Sequence, residues 1–122
     1  MDKEEIPYED FSKLDIRIGT VVAAELVPDT DKLIKCSVDF GLKPSAGANG
    51  LGERDIRTIV SGIAEWKSPS DLVEKQFPYV VNLAPRIIRG IASEGMILAI
   101  RTKDGVSLLC PDSDVESGSR IS

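Results

Sequence analysis

NLAPRIIRGIASEGM, residues 82–96, lies between two apolar runs and reads as a binding loop joining two buried strands. Pro85 cannot donate to a sheet ladder, and Gly90 and Gly95 permit backbone geometries that other residues avoid. Arg86 and Arg89 add two planar cationic forks, a shape that suits phosphate. The competing reading of the same residues is a long hairpin connection with two solvated arginines. The chain on either side has to separate the two.

After the loop, Met96 to Ile100 reads as a strand, and Lys103-Asp104-Gly105 is a hairpin signal leading into Val106 to Leu109. Before it, Gln76 to Leu83 is extended, and the consecutive Val80 and Val81 suit a strand covered on both faces. Ser68-Pro69-Ser70-Asp71 has a serine cap, a proline at the first helical position and an acid in the first turn, which predicts one short helix. Ile56 to Ile63 is a β-branched third strand whose Ser61-Gly62 end is close-packed or kinked. Leu42 to Asp55 is rich in Gly, Ala, Pro and Ser without a period, and is expected to be a long mobile connection that tolerates truncation.

The first third of the chain carries the clearest alternation. Ile34, Cys36, Val38 and Phe40 fall on one face of a second strand, with Lys35, Ser37 and Asp39 on the other. Pro28-Asp29-Thr30-Asp31-Lys32 is a turn before it. From Leu14 to Ile18 the apolar residues alternate with Asp15 and Arg17, and Gly19 interrupts the pattern, predicting a long first strand bent at that glycine. Arg17 faces away from the apolar side, either in a salt bridge or toward a ligand. Residues 1–10 are polar, and Tyr8 and Phe11 are expected to anchor a short helical turn.

Composition narrows the function classes. A chain of 122 residues that is 42% hydrophobic and 29% charged suits one domain with one modest core. There is no histidine, which removes Ser-His and Cys-His catalysis and the usual zinc ligand sets. Asp29-Thr30-Asp31 resembles the start of a calcium loop, but the later ligands do not follow, so no metal or other cofactor is expected. Cys36 and Cys110 form no Cys-x-x-Cys pattern and read as reduced thiols at apolar positions. No apolar run approaches the roughly 20 residues of a membrane span, and the acidic start is unlike a signal peptide, so a cytoplasmic location is expected. The net charge of −5 is segregated: −4 in residues 1–10, −3 in 104–122 and +2 between them. A mildly basic centre permits a polyanion site without a strong nonspecific field.

Three strands, a short helix and two more strands, in that order, match an OB-fold: all-β with one short helix, a five-stranded barrel, and here a C-terminal strand extension. OB-folds bind nucleic acid on the face of strands two and three, flanked by the loops one-two and four-five. Those loops correspond to Pro28 to Lys32 and Asn82 to Met96, which favours the binding reading of residues 82–96.

DFSKLDIRIG (10–19), PDTDKL (28–33), RTIVSG (57–62), and NLAPR through RG and SEGM (82–96) together resemble the tRNA-binding domain family over nearly the whole chain. The resemblance implies one non-catalytic OB-fold domain over 1–122, with an acidic segment at 1–10, a flexible loop at 42–55 and an extension at 104–122. It implies tRNA gripped through shape and backbone, a homodimer joined through the extension, and action in trans to, or docked on, an aminoacyl-tRNA synthetase, most often methionyl. The alternative within the family is a chaperone-like dimer that binds peptides or unfolded clients. Carried over by position, the tRNA-binding residues are Lys32, Asn82, Arg86, Arg89, Ser93 and Met96. Arginine and lysine would meet phosphate, Ser93 and Asn82 would hydrogen-bond ribose or phosphate, and Met96 would give apolar contact or pack in the core. Asn82 could instead close its own turn, and Lys32 could be solvated. Family members often carry lysine at Ala84 and Ile87 and glutamine at Glu94, so the resemblance implies weak, salt-sensitive binding here.

Overall fold

The structure, a computed structural model, describes residues 3–43 and 53–122. The elements are α1 (Tyr8–Ser12), β1 (Ile16–Leu26), β2 (Ile34–Leu42), β3 (Arg54–Ser61), a 3-10 turn (Pro69–Asp71), β4 (Gln76–Val80), β5 (Arg86–Ile88), β6 (Ile91–Ser93), β7 (Met96–Ile97), β8 (Ala99–Thr102), β9 (Gly105–Leu108) and β10 (Arg120–Ile121). The main sheet runs β3-β2-β1-β4-β7, all antiparallel, with β10 also on β1. It curls into an OB-fold-like barrel.

β1 joins the two halves of that barrel. Ile16 to Thr20 pair with β4, and Thr20 to Leu26 pair with β2. The break in register falls between Val21 and Ala23, so the bulge sits at the exposed Val22 and not at Gly19 as expected. Gly19 has another role. A Cβ there would collide with the buried side chains of Val38 and Phe40, so the glycine lets β2 cross close over β1.

The alternation in β2 is realised: Ile34, Cys36, Val38 and Phe40 are buried. They pack with Val21, Ile59, Ile63, Leu72, Phe77 and Tyr79 in one core, where Phe40 meets Tyr79 edge to face at 5.4 Å between ring centroids. Burial raises the Cys36 thiol to about 11, which makes it an inert core residue. Cys110, expected at an apolar position, is instead exposed. Tyr8 and Phe11 do form the short helix α1, but they lie against each other on the outside and do not anchor it in the core.

Several predicted boundaries shift. The predicted short helix is a single 3-10 turn closed by a Ser68/Asp71 capping box, and the hydrogen bond from the Ser68 N–H holds the Asp71 carboxyl below its usual range. Gly62 has no close neighbour for an added Cβ, so the end of β3 is a bend and not a tight contact. The fifth strand is divided: β7 pairs with β4, while β8 leaves the barrel to form its own hairpin with β9. The predicted connection at 42–55 is partly strand, because Leu42 pairs with Arg54 and Lys43 with Glu53; residues 44–52 lie outside the described residues.

Candidate nucleic-acid interface

Residues 82–96 fold as a hairpin that stands on the barrel. β5 and β6 pair from Arg86↔Ser93 to Ile88↔Ile91, which leaves Arg89 and Gly90 as a two-residue turn. Both have positive φ, 52° and 79°, as a type I′ turn demands. Glycine meets that demand without strain, whereas arginine is a poor occupant. The turn therefore holds a cation at the tip of the hairpin in a conformation that its own backbone disfavours.

The base of the hairpin closes the barrel without a regular ladder. The Glu94 N–H donates to Thr58 O at 2.8 Å, and the Thr58 N–H donates to the Glu94 carboxylate at 3.2 Å. The Val60 N–H donates to Ser93 Oγ at 2.9 Å, and that hydroxyl in turn faces Gly95 O at 3.3 Å. Side-chain oxygens thus replace the main-chain acceptors that an adjacent strand would supply. Ser93, only 4% exposed, holds the hairpin to β3, so its hydroxyl is already engaged.

Arg57 secures the same corner. Its guanidinium forms two hydrogen bonds to the Asp55 carboxylate, each at 3.1 Å, donates to Val81 O at 2.6 Å, and lies 5.6 Å from the centre of the Phe40 ring. Arg17 is likewise satisfied inside the fold, by two bonds to Asp15 at 2.9 and 3.1 Å. That hydrogen bond holds the Asp15 carboxyl below its ordinary 3.8, against the opposing effect of desolvation. The salt-bridge reading of Arg17 is the one observed.

Asn82 is a clasp. Its Oδ1 accepts from the Asp15 N–H at 2.8 Å and its Nδ2 donates to Lys13 O at 2.6 Å, fixing the start of the hairpin to the segment between α1 and β1. The sequence offered it as a ligand contact or as the closer of its own turn; it closes a contact 67 residues away.

The remaining candidates are free. Arg86, Arg89 and Lys32 are exposed and pair with no carboxylate among the described residues. Met96 is 45% exposed and lines a groove of about 420 Å³ together with Arg86, so it is not a core residue. The Lys32 carbonyl accepts from the Ala64 N–H at 3.1 Å, which sets loop Pro28 to Lys32 beside the Ser61–Ile63 wall of that groove. The fold therefore brings Arg86 and Met96 to one groove, holds the loop of Lys32 against Ala64, lifts Arg89 to the hairpin tip, and keeps Asn82 and Ser93 as supports. Sequence reasoning missed Arg57, whose partners come from three separate segments, and Arg101 on β8, which lines the same groove as Arg86. Asp55, two residues before Arg57, is the one local cue; none marks Arg101.

The chain is similar to known proteins over nearly its whole length. The family described as "Putative tRNA binding domain" matches residues 16–120. Methionine--tRNA ligase of Parabacteroides distasonis is 43% identical over 120 residues, 98% of this chain and 16% of the ligase. The Flavobacterium psychrophilum ligase is 46% identical over 111 residues, 90% of this chain and 14% of the ligase. The chain thus spans about a sixth of the length of such relatives. Among solved structures, a MetRS related protein from Pyrococcus horikoshii superposes with a TM-score of 0.83 at 38% identity, covering 98% of this chain and 99% of that one. The chaperone CsaA from Bacillus anthracis superposes with a TM-score of 0.78 at 32% identity, covering 98% of this chain and 100% of that one.

Proposed function

The chain belongs to the tRNA-binding domain family, and from that premise we propose that residues 1–122 act as one module that binds tRNA through the β5–β6 hairpin and the loop from Pro28 to Lys32. Domains of this family are non-catalytic. The observation that carries the reading is Arg89, held at positive φ on the hairpin tip and unpaired among the described residues, with Arg86, likewise unpaired among them, on the strand below it. Strain of that kind is kept where a side chain is needed. Arg86, Arg89 and Lys32 contact phosphates, Met96 gives apolar contact, and Asn82 and Ser93 position the hairpin. The similarity to methionine--tRNA ligases supports action alongside a synthetase, raising the local concentration of tRNA. A homodimer through residues 104–122 is part of the same proposal; Leu109 and Val115 are exposed apolar residues within that segment.

The test is binding of labelled bulk tRNA across a salt series by the native chain and by Arg86→Ala/Arg89→Ala, with folding of both confirmed by circular dichroism. The expected result is salt-dependent binding that the double variant weakens, with a shallower salt slope by about 0.7 to 0.9 per lost contact. Native-level binding by the folded double variant would remove the hairpin from the interface.

A second reading has its own observation. Ile6, Tyr8, Phe11 and Leu14 are exposed, Tyr8 by 74%, and the Asn82 clasp sets this segment beside the exposed Leu83. Together with the likeness to a chaperone, this apolar surface favours binding of an unfolded client. Client binding that persists at high salt, where tRNA binding is lost, would support it.

A further inference from the structure

The groove beside Met96 runs between two hairpins, β5–β6 with Arg86 and β8–β9 with Arg101. Its apolar lining includes Val60, Ile63, Ile88, Met96 and Ile97. Its volume, about 420 Å³, is that of a small-molecule site. Arg86 and Arg101 are exposed, and neither meets a carboxylate among the described residues. Elsewhere the barrel treats its arginines differently: Arg17, Arg54 and Arg57 each pair with an aspartate nearby.

Two free guanidinium groups on a cleft with a mixed polar and apolar lining suit a ligand that is anionic at one point and flat and apolar at another. A nucleotide has both parts, and its base reaches such a cleft only when it is unpaired. Resting on the tRNA reading above, we propose that this groove takes one unstacked nucleotide of the bound RNA. Arg86 and Arg101 hold its phosphate from opposite hairpins, and Met96, Ile88 and Ile97 lie against its base. Arg101 thereby becomes a binding residue, and the β8–β9 hairpin, outside the barrel sheet, becomes part of the RNA surface. An unpaired nucleotide is a feature of folded RNA that a uniform duplex lacks, so the groove also gives the module a preference between them.

The experiment uses the full chain, labelled bulk tRNA, and two unlabelled competitors of equal charge: a short single-stranded oligouridylate and a blunt RNA duplex. Arg101→Gln is expected to weaken tRNA binding roughly 10-fold and to reduce the salt slope by about 0.7, the signature of one lost phosphate contact. Met96→Ser is expected to weaken binding without changing the slope, because it removes apolar contact and no charge. The oligouridylate competes against the native chain and loses that advantage over the duplex in Arg101→Gln. Native affinity and slope in Arg101→Gln, while Arg86→Ala/Arg89→Ala is impaired, would overturn the nucleotide groove and leave the tRNA reading standing. Failure of the native chain to bind tRNA at low salt would overturn both.

Discussion

Arg89 occupies a backbone conformation that asparagine or glycine would hold at lower cost. The cost and the charge can be separated by one substitution. Arg89→Asn creates the Asn-Gly pair that two-residue hairpins favour, so stability should rise by about 0.5–1 kcal/mol, read from urea unfolding. Affinity for tRNA should fall in the same variant. A substitution that stabilises the fold while weakening binding would separate functional strain from structural need; lower stability would show that the arginine supports the hairpin by contacts of its own. Arg86 and Arg89 were legible from the sequence because cations without a nearby acid are a local pattern, whereas Lys32, beside Asp31, was carried by the family resemblance. Ser93 and Asn82 were not legible, because their chemical versatility is taken up by Val60, Gly95, Asp15 and Lys13, partners supplied from elsewhere in the chain or by closure of the barrel.

At the scale of elements, β1 shows how much a pattern can hide. Its alternation and its glycine predicted a long bent strand, and the strand is long and bent. The bend lies three residues after the glycine, at Val22, while Gly19 admits Val38 and Phe40 from β2. Gly19→Ala would place a methyl against two buried side chains, with the Phe40 ring at 2.7 Å from the new carbon. Destabilisation of about 1–3 kcal/mol is expected in denaturant titration, the usual range for overpacking. A neutral effect would mean that the crossing of β1 and β2 has slack. Residues 82–96 teach the complementary lesson. Three-residue strands such as β5 and β6 are too short to reveal a period, so a stretch that reads as a loop folds as a hairpin.

Across the whole molecule, the C-terminal segment completes the barrel. β1 pairs with β4 from Ile16 to Thr20, but β2 reaches only as far as Thr20, which leaves the opposite edge of Ile16 to Gly19 open. The tail fills it: Ile18 N–H donates to Ser119 O at 2.8 Å, Gly118 N–H donates to Ile18 O at 2.7 Å, and β10 pairs with Ile16 and Arg17. Gly118, at φ 90°, passes so close to Phe40 that no side chain would fit. Removing residues 116–122 should therefore cost about 2–4 kcal/mol, from several net hydrogen bonds of about 1 kcal/mol each. It should also remove hydrogen-exchange protection at the Ile18 amide. Unchanged protection there would show that the edge finds another partner. The sequence reads this segment as an extension, and its serines and glycine carry no apolar pattern that would announce a strand against β1.

The sequence by itself determined the β class, the order of elements that makes an OB-fold, the inward face of β2, and the cations available to a polyanion. These follow from alternation, turn chemistry and charge, which act over a few residues and can be read along the chain. Tertiary structure alone decided that Asn82 and Ser93 are not free. Arg17 and Arg57 pair with aspartates two residues away on the same strand face, which the sequence carries, whereas Asn82 and Ser93 are consumed by closure of the barrel. It also decided that Arg86 and Arg101 face one groove from separate hairpins. Hydrogen-bond satisfaction and the meeting of distant side chains depend on where segments come together in space, and no local pattern encodes that.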